Sequence, residues 1–489
     1  MPLYMAAEVF EVTPRVGSEG RSLTAAKVER VFTPLQTAVF LLRHDDDTLL
    51  CLICSHFMTH YYRFSNLLRD AVAAELALDR ERVLSFSSHN HCAVKLVREQ
   101  YGFGKHERHL RLDPGELTEE GSAVLEGAVA AAGRMKDRLE PVTLRWGVGR
   151  ERRITHNRKG HRADGSTYLM REDDRLELGE DFSGDIDDDA PIIGFYGEDD
   201  RPRGLLAWFT GHPVTAFDPE HPVVFGEYPQ VACDVVSAAC DGAPVGFLQG
   251  CAGDVNSKGL LAQKPVEESV ADAYRYGQCL GESWLEALTE ATPSRSEAVD
   301  VASEIVSLPF EGVPPRETLE AQIADMQSFL ERCGADDEPG TRVCQGLNFP
   351  RKMSPNYRGE LVRPLLRWAE WALSLHDAAD RDAIPRAAEF EVASARIGDV
   401  GLVGLSCEPF DAIGRLIKSK SPTMLTLPCG YMHDTCLAYV PNAGNNGDKE
   451  YMSAFYRYTT TLLPYAQPAG DRLAEAGVNL LHSLEGAHA

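Results

Sequence analysis

Five apolar runs of strand length each stop at a polar cluster, and this pattern constrains the fold more than any other feature. "RVLSFSS" runs into His89-Asn90-His91, and "GLLAWFTG" into His212. "VGFLQG" leads through a Gly-Cys-Ala-Gly turn to Asp254-Val255-Asn256. "VGLVGLSC" reaches Glu408, and "MLTLPCG" enters a Tyr-rich segment that includes Tyr439. In open α/β sheets, ligands bind beyond the carboxyl ends of strands. Five such endings carrying histidines, a glutamate and tyrosines predict one site at the strand ends. The small residues after Leu248 suit either a tight connection or a loop whose backbone comes close to a ligand.

Through most of the chain, apolar runs alternate with amphipathic stretches. The expected class is α/β (mixed α+β): a central mixed β-sheet core, flanking helices and a metal site at strand ends. The opening "MPLYMAAEVFEVTPRVG" is expected to hold a first strand. Helices are expected over 64–79, 118–139, 266–291, 316–334 and 357–380. The last two predict a helical subdomain at about 313–383, laid on a single catalytic unit spanning 1–489. The polar segment 150–190 contains the acidic run Asp185 to Asp189. That run lacks the Gly and the terminal Glu of an EF-hand loop and is expected to be a solvated loop.

Composition excludes several functions. A 489-residue chain that is 44% hydrophobic supports a large core. A formal net charge of -25 disfavours nucleic acid and anionic membrane surfaces as partners. No apolar run is long enough to span a membrane, and the N-terminus lacks the pattern of a secretory signal. A cytoplasmic location and a small-molecule substrate are expected, with a homo-oligomer left open. The twelve cysteines are scattered. Cys51 and Cys54 form a C-x-x-C inside an apparent strand, with no second pair at zinc-ribbon spacing, and are expected to be buried thiols.

Zinc takes nitrogen and oxygen ligands and, at catalytic sites, leaves one position for water. In an H-x-H on a strand both side chains point to one face, so His89 and His91 could reach the same ion. A lone histidine such as His212 is more often structural. A Glu inside "LSCEPF" is costly to bury unpaired, which favours a role for Glu408.

With these residues in hand, the sequence resembles the neutral/alkaline, non-lysosomal ceramidases and their bacterial relatives. "SFSSHNHC" is similar to the family's T-H-T-H segment, "THNRKG" to its N-R-S, and "FTGHP" to its second zinc-histidine segment. "FLQGCAGDVN" resembles Q-G-x-x-G-D-V-S, and "SCEPFDAIGRLIK" the segment that supplies a glutamate. "GYMHDTCLAYVPNAGNNGDKEY" resembles the tyrosine-rich stretch. The resemblance covers most of the chain in order. It implies zinc ligands at His89, His212, Glu408 and Tyr439, with Tyr431 as the alternative tyrosine. It implies substrate-facing roles for Arg158 and Tyr451, and an acid/base or polarising role for His91.

Three departures matter. The family's active-site serine is Asn256 here, with Ser257 one residue later. "CAVKL" replaces the glycine-rich continuation after His91. The chain is expected to stop near the end of the family's catalytic domain, without a secretion signal. An amide is not an acyl-accepting nucleophile, but Asn256 can donate a hydrogen bond to a developing oxyanion. If residues 253–257 are extended, Ser257 faces away from Asn256. The leading expectation is a zinc-dependent hydrolase of C–N bonds that cleaves an amide, or a related acyl bond, of a compact soluble substrate by activated water. A metal-dependent biosynthetic tailoring enzyme (acyl transfer, lactone opening or a non-hydrolytic step) and a non-catalytic ligand-binding relative remain the alternatives.

Overall fold

The computed structural model describes residues 2–20, 26–44, 49–58, 62–98, 112–164, 167–380, 382, 384–433, 439–445, 451–459 and 462–486. Parts of the tyrosine-rich motif, 434–438 and 446–450, lie outside them.

The main path of the larger sheet is built from β1 (Leu3–Val12), β2 (Leu35–Arg43), β3 (Leu49–Ser55), β4 (Val83–Ser87), β5 (Glu140–Arg150), β6 (Asp189–Tyr196), β7 (Pro202–Phe209) and β8 (Val245–Gln249), with the short strand Thr292–Pro293 paired to β5 off that path. Their spatial order is β8-β7-β6-β5-β1-β2-β3-β4. The β3/β4 and β7/β8 pairs are parallel and the other pairs on this path antiparallel. A second sheet, in sequential order, holds β9 (Val299–Pro309), β10 (Ala387–Ile397), β11 (Val400–Leu405) and β12 (Leu425–Cys429), with β11/β12 parallel. Both sheets are mixed, as the alternation of runs predicts.

The two sheets face each other. Phe40, Leu52, Phe86, Leu206 and Trp208 of the first meet Ala395, Ile397, Leu402 and Leu427 of the second. The period of two then sends alternate residues to the opposite face. Leu35, Val39 and Leu41 of β2, with Cys51 and Ile53 of β3, pack under helices α1 (Tyr62–Leu76) and α2 (Glu119–Met135). Apolar runs without polar alternation are what strands buried on both faces require. Cys51 and Cys54 fall on opposite faces, both buried as free thiols, so they form no pair.

Helices α3 (Glu227–Ala239) and α4 (Val266–Thr289) cover the β6–β8 end of the large sheet. Helices α7 (Asp411–Lys420) and α8 (Gly470–Gly486) cover the outer face of the small one. The order through the molecule is helix, sheet, sheet, helix. At Gly246 the backbone of β8 lies against the Phe40 ring; a Cβ there would sit 2.8 Å from it, so only glycine fits. Helices α5 (Arg316–Gly334) and α6 (Pro355–Leu375) pack on one another around Leu319, Phe329, Leu365 and Trp368.

The segment 150–190 is not a plain solvated loop. It contains short strands at Thr155–Asn157, Lys159–His161 and Thr167–Leu169 and a helical turn at Glu172–Glu177. Its acidic run is paired rather than free. Lys418 of α7 lies 2.6 Å from Asp187 and 3.0 Å from Asp189, and Arg415 holds Asp185. Asp187 is buried, and only a cation brought in from α7, more than two hundred residues downstream, makes that burial tolerable.

Candidate functional site

The five strand ends named from the sequence meet where the two sheets join. Backbone bridges link them: Phe86 pairs with Met432, and Gly250 with Cys429. Glu408 begins a two-residue strand parallel to Tyr439–Val440. Asn256 lies on Val255–Ser257, which bridges to His212. Gly253 makes the approach possible, because a Cβ there would lie 2.6 Å from the Glu408 carbonyl oxygen. The glycine-rich turn after β8 is therefore the close-approach loop of the two alternatives.

His89 and His212 converge on one carboxylate. Their Nε2 atoms lie 3.2 and 3.0 Å from Glu408 Oε2. Each Nδ1 donates to a backbone carbonyl, His89 to Met58 at 2.9 Å and His212 to Val255 at 3.1 Å. A carbonyl only accepts, so the ring proton sits on Nδ1 and the Nε2 lone pair faces the carboxylate. Burial, assisted by nearby Arg158, lowers the His212 pKa to about 4, so this ring is neutral near pH 7. Lone pairs facing a carboxylate repel unless a cation lies among them. The arrangement fits a divalent metal, with the outer ring nitrogens fixed by carbonyls as metal-ligating histidines require.

The ligand nitrogens of His89, His91 and His212 lie within 4.8 Å of one another. The reason His91 joins them differs from the strand argument. β4 ends at Ser87, and His89 takes a left-handed φ of 63°, which turns the chain. The His89 and His91 rings still come within 4.8 Å, edge to face.

Both candidate tyrosines are present. The Tyr431 oxygen is 3.5 Å from His212 Nε2, and Tyr431 too has a left-handed φ, 59°. The Tyr439 oxygen accepts a 2.9 Å hydrogen bond from Arg158. The Arg158 guanidinium lies over the Tyr439 and Tyr451 rings, 5.2 and 5.9 Å from their centroids.

Asn256 and Ser257 face opposite ways, as an extended segment dictates. Asn256 lines a cavity. Ser257 is fully buried, and its hydroxyl accepts from Thr215 Oγ1 at 2.9 Å and from the Val214 amide at 3.3 Å. The cavity measures about 140 Å³. Its polar side chains include His91, His212, Arg158, Asn256, Tyr439 and Tyr451, and its apolar wall includes Leu347, Phe349, Met353 and Leu361 around α6. Two lining residues, Arg171 and Phe217, had no signal in the sequence. Arg171 sits in an ordinary charged stretch, and Phe217, whose ring is 4.9 Å from that of His91, follows a loop with no motif of its own.

The chain has the fold of the neutral ceramidases. The neutral ceramidase from Pseudomonas aeruginosa superposes with a TM-score of 0.65 at 15% identity, over 99% of this chain and 75% of that one. A ceramidase complexed with C2 gives 0.67 at 14% identity, over 99% and 76%. No protein-family model and no curated protein matches the sequence.

Proposed function

We propose that this chain is a metal-dependent hydrolase of an amide bond, with zinc held by His89, His212, Glu408 and Tyr439. The observation that carries the reading is the convergence of two histidine lone pairs on the Glu408 carboxylate, with His212 also lining the cavity. The fold of the neighbours, which are named for ceramide, supports it. Tyr439 is preferred over Tyr431 because Arg158 donates to its oxygen, and that guanidinium opposes the burial that raises the Tyr439 pKa, so a bound cation would complete the phenolate. The bound ion would supply Lewis acidity toward the carbonyl and toward water.

The chain's own groups supply the rest. Arg158, fixed by the Gly253 carbonyl at 2.7 Å and by Tyr439, orients the substrate. The Asn256 amide donates to the carbonyl oxygen as charge gathers on it. Water adds its oxygen to the carbonyl carbon, and the C–N bond breaks. His91 hands the departing nitrogen its proton, and Tyr451 closes the cavity beside the reacting group. The apolar wall departs from the compact polar substrate expected from sequence. A substrate with an apolar acyl part and a small amine part suits it better.

The test is metal analysis of purified protein followed by a panel of N-acyl compounds and matched esters. The expected result is close to one zinc per chain and chelator-sensitive release of free acid and amine. Metal-free protein that still turns over amides would overturn the reading. Zinc occupancy without turnover would favour the binding-protein alternative, and amine-dependent products the tailoring enzyme.

A further inference from the structure

Three buried arginines are met by carboxylates. Arg69 is 3.0 Å from Glu391, Arg175 is 2.7 Å from Glu172, and Arg358 is 2.9 Å from Glu338. Arg158 and Arg171, which both line the cavity, form no ion pair among the described residues. Arg158 spends its Nη2 on the Gly253 carbonyl and the Tyr439 oxygen, while its buried Nε has no hydrogen-bond partner among the described residues. Arg171 donates from Nε to the Asn348 carbonyl. It forms no ion pair among the described residues. The nearby Asp174 carboxylate is taken by the Arg171 backbone amide at 2.7 Å and by Asn348 Nδ2 at 3.2 Å.

Two guanidinium groups in one small cavity repel. Burial, with Arg158 adding to it, brings the Arg171 pKa down to about 10, still fully charged near pH 7. Glu408 lies within electrostatic reach of Arg158 and Asp174 within reach of Arg171, but neither forms an ion pair with them among the described residues. Arg158 has the Tyr439 oxygen as partner, but Arg171, whose only side-chain bond among the described residues is to a carbonyl, is a cation beside an apolar wall that is costly to maintain. It becomes favourable when an anion enters, and the planar guanidinium suits a carboxylate.

Resting on the amide-hydrolase reading, we infer that the substrate carries a carboxylate close to the scissile amide, as an N-acyl amino acid does, and that Arg171 recognises it. The apolar wall takes the acyl chain, and hydrolysis releases a fatty carboxylate and a free amino acid. Arg171 is thus a specificity residue rather than a participant in bond cleavage.

The experiment uses the zinc-loaded full chain and compounds sharing one acyl chain: the N-acylglycine, its primary amide, the N-acyl ethanolamine and the N-acyl taurine. The N-acylglycine is expected to exceed the two neutral compounds in kcat/KM by about 10- to 100-fold, the range of a charge-assisted hydrogen bond. The taurine conjugate separates a planar carboxylate from a bulkier sulfonate and is expected to fall below the glycine conjugate. Arg171→Gln should bring the acid-to-amide ratio close to one, mainly through KM, and Arg171→Lys should restore part of it. Equal kcat/KM for acid and amide on the unmodified protein overturns the inference, whether or not the variants fold. Calorimetric binding of N-acylglycine in preference to its amide, without hydrolysis, would sustain this inference and sink the hydrolase reading. Hydrolysis with no acid preference would do the reverse.

Discussion

Asn256 and Ser257 share one three-residue strand, and only the first faces the cavity. An acyl-enzyme at Ser257 would require that strand to turn over, breaking the bonds from Thr215 and Val214. Asn256→Ala is therefore expected to lower kcat by on the order of 10²–10³ with zinc retained, as loss of an oxyanion donor does. Ser257→Ala should keep most activity and lose roughly 1 kcal/mol of stability with its hydrogen bonds. Steady-state rates and mass spectrometry of quenched enzyme check both, and an acyl mass on the Ser257 peptide contradicts them. At the neighbouring carboxylate, Glu408→Gln should lose most of the metal, because a neutral amide replaces the anion between two histidines; elemental analysis reads this directly. The sequence exposed these residues because each follows an apolar run. It could not expose Arg171 or the Met58 carbonyl, which join the site only through contacts with no local pattern.

Among the elements, α3 opens on an unusual residue. Glu227 is fully buried with φ 56°, and its carboxylate accepts a 2.6 Å hydrogen bond from the Ala216 amide, on the loop that follows His212. Burial raises its pKa from 4.5 to about 7, with the Ala216 and Tyr228 amides opposing the rise. Because the folded value is raised, this group's contribution to stability is full below the unfolded value and is lost as pH climbs from about 4.5 through 7. Glu227→Gln keeps an acceptor for Ala216 and cannot ionise. Relative to that variant, the unmodified protein should lose up to roughly 3 kcal/mol over this window; parallel pH profiles of the denaturation midpoint would refute this. Element extents were mostly legible. Helix α5 spans the expected 316–334, and α6 starts two residues before the expected 357, because periodicity and helix length are local properties. The acidic run at 185–189 reads as solvated in the sequence because the cations on Asp185 and Asp187 come from α7, and no local pattern announces partners so distant.

On the scale of the whole molecule, the proposed ligand set is drawn from both sheets: His89 and His212 follow β4 and β7, Glu408 and Tyr439 follow β11 and β12. Metal binding should then add to the stability of the entire sandwich rather than of one loop. Stripping the ion is expected to lower the melting temperature by several degrees in one cooperative transition, restored by zinc; an unchanged calorimetric trace would contradict a shared site. The apolar wall has a different origin, since Leu347, Phe349, Met353 and Leu361 belong to the α5–α6 excursion. This division of labour sets how such a protein can diversify. The floor is stitched by backbone bridges between two sheets, where a shift of one residue would scatter every ligand. The wall hangs from helices that contribute no ligand. With the site as proposed, new substrates would be reached by rewriting the wall while the floor beneath it is kept.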